Sequence, residues 1–142
     1  MSIPQWTLLG FTAWTLGLLM ATVGVYRWGN ILFAKAAIAS FRHDAPEGAG
    51  WYQRGTRAHA NCIENLPVFG AMVYLITVIG LQGPIVDALC IATLAARIVQ
   101  SCVHISHVQT NAFVAVRFSF YSVQLVSFMV LIVMVAKRLN QM

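Results

Sequence analysis

Three short series of polar residues stand out in a chain that is otherwise apolar. Arg57, Asn61 and Glu64 step by four and three residues, a spacing that places them on one helix face. Thr93, Arg97, Gln100, His104 and His107 step by four, three, four and three, and Arg117, Tyr121, Gln124 and Ser127 by four, three and three. Each series therefore forms a stripe on its own helix. Charged side chains at membrane depth are costly and are usually functional, so the candidates for function are Glu64, Arg97 and Arg117. One carboxylate and two guanidinium groups leave an excess of positive charge, which is unstable when buried alone. An anionic ligand carrying carboxylates completes such a set, because the planar fork of arginine grips a carboxylate with two hydrogen bonds. Gln100, Gln124, Thr93 and Ser127 have a simpler role as helix-to-helix hydrogen bonds, worth about 0.6 kcal/mol each in membranes.

The elements that position these residues follow from composition. Of 142 residues 59% are hydrophobic and 9% charged, against roughly a quarter charged in soluble domains. The chain is expected to be an all-α integral membrane protein with four spans, at residues 6–26, 57–81, 85–106 and 112–136, in one domain over residues 1–142. Each is long enough to cross about 30 Å of hydrocarbon, and short connections after the second and third spans imply an antiparallel four-helix bundle. The first span lacks the basic leader of a signal peptide and is expected to be retained. It is expected to continue past Arg27 toward Ile38. Residues 41–56, with His43, Asp44, Pro46 and Gly48, have loop composition, and Pro67 falls in the first turns of the second span.

Depth and charge refine the picture. At 1.5 Å per residue, Glu64, Arg97 and Arg117 lie roughly 7–14 Å inside one face of the membrane. Lys35, Arg42, Arg54 and Arg57 flank the first connection, which places the first and third connections on the cytoplasmic side. The net charge of +5 belongs to membrane flanks and span interiors, and no basic stripe on a soluble fold points to nucleic acid. His104 and His107 lack the further ligands of a metal site. Cys62, Cys90 and Cys102 are odd in number and lie in apolar segments, which does not describe a disulfide framework.

The run Arg57-Ala58-His59-Ala60-Asn61, followed by Glu64 and Pro67, resembles the signature of the MAPEG family, membrane-associated proteins in eicosanoid and glutathione metabolism. Arg97 and the pair Arg117-Phe118 resemble it more loosely. The resemblance covers nearly the whole chain and is greatest to the bacterial branch, implying a multi-pass protein of a bacterial inner membrane. It implies a homotrimer with glutathione, as cosubstrate, bound between subunits. Arg57, Asn61 and Glu64 would then contact the glutathione backbone, Glu64 taking the α-amino group, and Arg97 a carboxylate. Gln100 and Tyr121 would contribute to binding. Arg117 would stabilise the thiolate as the catalytic residue, and Lys35 would stand in for an arginine at the end of the first helix. Asn65, Gln100 and His104 depart from the tyrosines of the leukotriene-synthase branch, so eicosanoid synthesis is not implied.

The function expected on this basis is a glutathione transferase or peroxidase acting on a lipophilic small molecule that arrives through the lipid bilayer. The alternative is a non-catalytic lipid-binding or scaffold protein on the same fold. A small transporter or proton relay built on Glu64, Arg97 and His104 has less support, because the chain lacks an internal repeat or paired broken helices.

Overall fold

In hydrocarbon every backbone polar group must be satisfied within its own segment, so an apolar chain of this kind is driven into helices. The computed structural model, which describes residues 1–33, 35, 41, 47–108 and 110–141, contains four long ones. Helix α1 spans Ile3–Leu32 and includes a π-helical stretch, Leu19–Gly24; α2 spans Gly50–Val78, α3 Pro84–Ser106 and α4 Asn111–Leu139. All four are long and apolar enough to cross a membrane. The chain is an integral, multi-pass membrane protein built as a four-helix bundle.

Hydroxyls inside the helices find partners one turn back. Thr15 donates to Phe11 O at 2.9 Å, Thr93 to Leu89 O at 2.9 Å, Ser101 to Arg97 O at 2.9 Å and Ser127 to Val123 O at 2.8 Å. The helix boundaries have local causes. Pro4 lies in the first turn of α1, where Ser2 N–H donates to Gln5 Oε1 at 2.9 Å. Gly80, at φ +62°, takes the left-handed conformation that ends α2. Thr110 accepts from Phe113 N–H and starts α4.

Helix α2 begins at Gly50 rather than residue 57 and ends at Val78 rather than residue 81. The early start has a side-chain cause that hydropathy does not reveal. Tyr52 is buried, stacks on Tyr26 at 4.1 Å and accepts a hydrogen bond from Arg27 Nε at 3.0 Å. Two residues later Arg54 Nε donates to Ile105 O at 2.8 Å, tying α2 to the end of α3. Pro67 consequently sits well inside a continuous helix, not in its first turns, and leaves the carbonyl of Ile63 without its helical donor. The first helix continues past Arg27 as expected, but as far as Leu32; the rest of the expected extension, residues 36–38, and the loop residues Arg42, His43, Asp44 and Pro46 lie outside the described residues.

Helices α3 and α4 make the most extensive pairing, while α1 packs on both α2 and α3. Phe11, Phe69 and Phe128 meet in the core, with ring centroids 5.6 Å and 6.2 Å apart. Val73, Ile76, Val86, Leu131 and Val135 extend this apolar core toward the turn that joins α2 to α3. At the opposite end α1 and α2 cross closely: a Cβ on Gly55 would lie 2.6 Å from Thr22 Cβ, within the π-helical stretch. Only glycine permits this approach, and the crossing carries Tyr26 and Arg27 over Tyr52.

Candidate functional site

The polar stripes of α2, α3 and α4 converge on one cavity of about 240 Å³. Asn61, Glu64 and Asn65 reach it from α2, Arg97 and Gln100 from α3, and Val114, Arg117, Phe118 and Tyr121 from α4. Three helices therefore deliver the carboxylate and both guanidinium groups to one place.

Arg97 is only 1% exposed. Its guanidinium lies 5.7 Å from the centre of the Phe11 ring, a cation–π contact supplied by α1. Its Nε and Nη2 have no hydrogen-bond partner among the described residues, and the same is true of Arg117 Nε. Cys62, Tyr121 and Glu64 are the ionisable neighbours of Arg97. A buried guanidinium with unsatisfied N–H groups is strongly disfavoured, and Arg97 lines a cavity in which an anion could offset its charge. Gln124 Nε2 donates to Gln100 Oε1 at 3.0 Å and to Phe120 O at 3.0 Å, bracing α4 against α3 behind the cavity. Gln100 thus combines a helix-bridging role with a place in the lining.

Glu64 is exposed and Asn61 half-buried in the single chain. Asn65 donates from Nδ2 to Asn61 O at 2.9 Å, which fixes the edge of the lining. Beyond the cavity His104 is 3% exposed, yet both of its ring nitrogens lack partners among the described residues. Its charged neighbours are Arg117, Arg57 and Arg54, so the stripe on α3 continues as a cationic entrance. His107 closes α3 and stacks on Phe113 at 4.0 Å.

Two of the expected contact residues lie apart from this lining. Arg57 is exposed, on the entrance side among the cations around His104. Lys35 holds its ammonium 5.8 Å from the Phe33 ring. Asn65, Val114 and Phe118 are additional lining residues. Asn65 is one turn past Asn61 and Phe118 lies three residues before Tyr121, so their positions on the stripes were readable from spacing. The cation–π contact from Phe11 was not, since nothing in the sequence pairs α1 with Arg97.

The arrangement can bind an anion through fixed cationic donors, offer Glu64 to an ammonium, and do so beside apolar side chains open to the bilayer. No curated protein and no solved structure matches the chain. The model of the MAPEG family matches residues 5–137. With nearly its whole length matched, the chain belongs to the MAPEG family, membrane proteins associated with glutathione and eicosanoid metabolism.

Proposed function

We propose that the protein is a membrane-bound glutathione transferase or peroxidase, with the cavity between α2, α3 and α4 as its glutathione site. The observation that carries this reading is the convergence of Glu64, Arg97 and Arg117 on one small cavity, with buried N–H groups of both arginines lacking partners among the described residues. Glutathione has two carboxylates, one ammonium and one thiol, and each finds a counterpart. Glu64 takes the α-ammonium, Arg97 holds a carboxylate, and Asn61, Gln100 and Tyr121 orient the peptide. Arg57 and Lys35, outside this lining, complete binding from the entrance.

Arg117 carries the chemical role. A guanidinium beside a thiol favours the thiolate, which is the nucleophilic form. In conjugation a carbon–sulfur bond forms and the electrophile's leaving group departs with its electron pair. Arg117 stabilises charge on sulfur before the bond forms, and Phe118 and Val114 provide an apolar surface for the second substrate. The reading extends to a homotrimer, in which a neighbouring subunit covers the side on which Glu64 is exposed.

Purified protein in detergent tests the proposal directly. It is expected to conjugate glutathione to a chlorodinitrobenzene-type electrophile, or to reduce a lipid hydroperoxide, with saturation in both substrates. Failure of both reactions together with measurable glutathione binding would leave the cavity a binding site and favour the scaffold alternative.

A further inference from the structure

At the end of the bundle away from the arginine cavity, a groove of about 470 Å³ opens between the α2–α3 turn and the end of α4. Gly80, Leu81 and Gln82 form one side, and Met134, Lys137, Arg138 and Gln141 the other. Lys137 and Arg138 are exposed, and neither side chain makes a hydrogen bond or ion pair with another described residue. Among the described residues the carboxylate at this end is Asp87, which lines a separate cavity that shares the same turn. Among the described residues, therefore, the two cations face the groove without a counter-charge.

Depth identifies what could pair with them. Helix α4 has 29 residues, about 43 Å at 1.5 Å per residue, against about 30 Å of hydrocarbon. Its last turn consequently lies at headgroup level. The groove floor is different in kind: Leu81 and Met134 both pack against the apolar core, where acyl chains begin. Basic side chains at a helix C-terminus also complement its dipole, and long ones anchor a span at the interface. Neither role requires two cations and two carboxamides, Gln82 and Gln141, to gather around one apolar-floored groove.

We propose that this groove binds the headgroup of an anionic phospholipid, Lys137 and Arg138 pairing with its phosphate while Leu81 and Met134 receive the start of its acyl chains. The ligand chemistry is a phosphate diester, and the apolar floor distinguishes a lipid from free phosphate. The site is separate from the glutathione cavity and does not depend on it.

Native mass spectrometry of the purified protein with phosphatidylglycerol and phosphatidylcholine of matched chains tests this. Phosphatidylglycerol is expected to be retained preferentially. Lys137→Gln and Arg138→Gln should each weaken that retention about fivefold, and the double variant about thirtyfold, the size expected for one basic residue and two at a membrane surface. Phosphatidylcholine binding and the glutathione isotherm should be unchanged, the latter showing that the double variant is folded. Undiminished phosphatidylglycerol retention in the double variant would overturn the proposal. So would displacement by inorganic phosphate at an affinity equal to that of the lipid. A change in oligomer mass in the double variant, with lipid retention intact, would instead make the groove a contact between copies of the chain and overturn it as well.

Discussion

The two halves of the bundle solve the same packing problem with opposite chemistry. Toward the α2–α3 turn, Val73, Ile76, Val86, Leu131 and Val135 fill the space between helices with side chains that ask only for contact. Toward the other end, the buried positions of α3 are Arg97, Gln100, Ser101 and His104. Ser101 is satisfied by Arg97 O, but Arg97, His104, Arg117 and Gln124 all keep buried polar atoms without partners among the described residues. Such groups lose more in a low-dielectric interior than an apolar side chain would. The interior of one half is therefore closed by its own apolar packing, whereas the interior of the other is arranged for something added to it.

That contrast can be broken by substitutions placed on either side of it. The largest effect is expected from Arg117→Ala, which should lower conjugation turnover by about 10²- to 10³-fold, the usual loss when one preorganised charge stabiliser is removed. Glutathione affinity should change far less, and steady-state kinetics alongside a binding isotherm separate the two. Unchanged turnover would remove Arg117 from the chemistry. Leu131→Ala, in the apolar half, should behave in the opposite way. It should lower stability by about 2 kcal/mol, the low end of the core-truncation range because lipid is itself an apolar solvent, with KM for glutathione unaltered. A detergent-based unfolding titration reads the first quantity and kinetics the second.

Much of this division was legible in the residues. The 3.6-residue spacing of Glu64, Arg97, Gln100, Arg117 and Tyr121 was sufficient to place them on helix faces, and their similar depth brought them to one cavity. Hydropathy located all four helices but missed the first two turns of α2. Those turns are held by Tyr52 against Tyr26 and Arg27, contacts between residues far apart in sequence. The close approach of Gly55 to Thr22 and the placement of Phe11 beneath Arg97 were hidden for the same reason. Periodicity reports which face a residue occupies, not which helix that face meets. Spacing put Arg57 on the face of Asn61 and Glu64, resemblance made it and Lys35 contact residues, and the structure leaves both out of the cavity lining.

A smaller effect sharpens the comparison from the polar side. Arg97→Met removes a buried cation whose Nε and Nη2 are unsatisfied without ligand. The ligand-free variant should be at least as stable as the parent, because the desolvation cost of the charge disappears. Glutathione at a hundred times its Kd should stabilise the parent by about 2.7 kcal/mol, and this protection should be largely lost in the variant. Thermal unfolding with and without glutathione gives both values. A strong loss of ligand-free stability would make Arg97 a structural residue that the bundle needs for packing.

The central claim is that Glu64 and the two arginines form a glutathione site, and its most direct test is a glutathione binding isotherm on the parent protein and on Glu64→Gln. Removing a charged partner from an ammonium contact is expected to weaken binding by about ten- to a hundredfold, from the 1.5–3 kcal/mol of hydrogen bonds to charged groups. Equal affinities for the two proteins would contradict the assignment of Glu64, and the absence of binding to the parent would contradict the site itself.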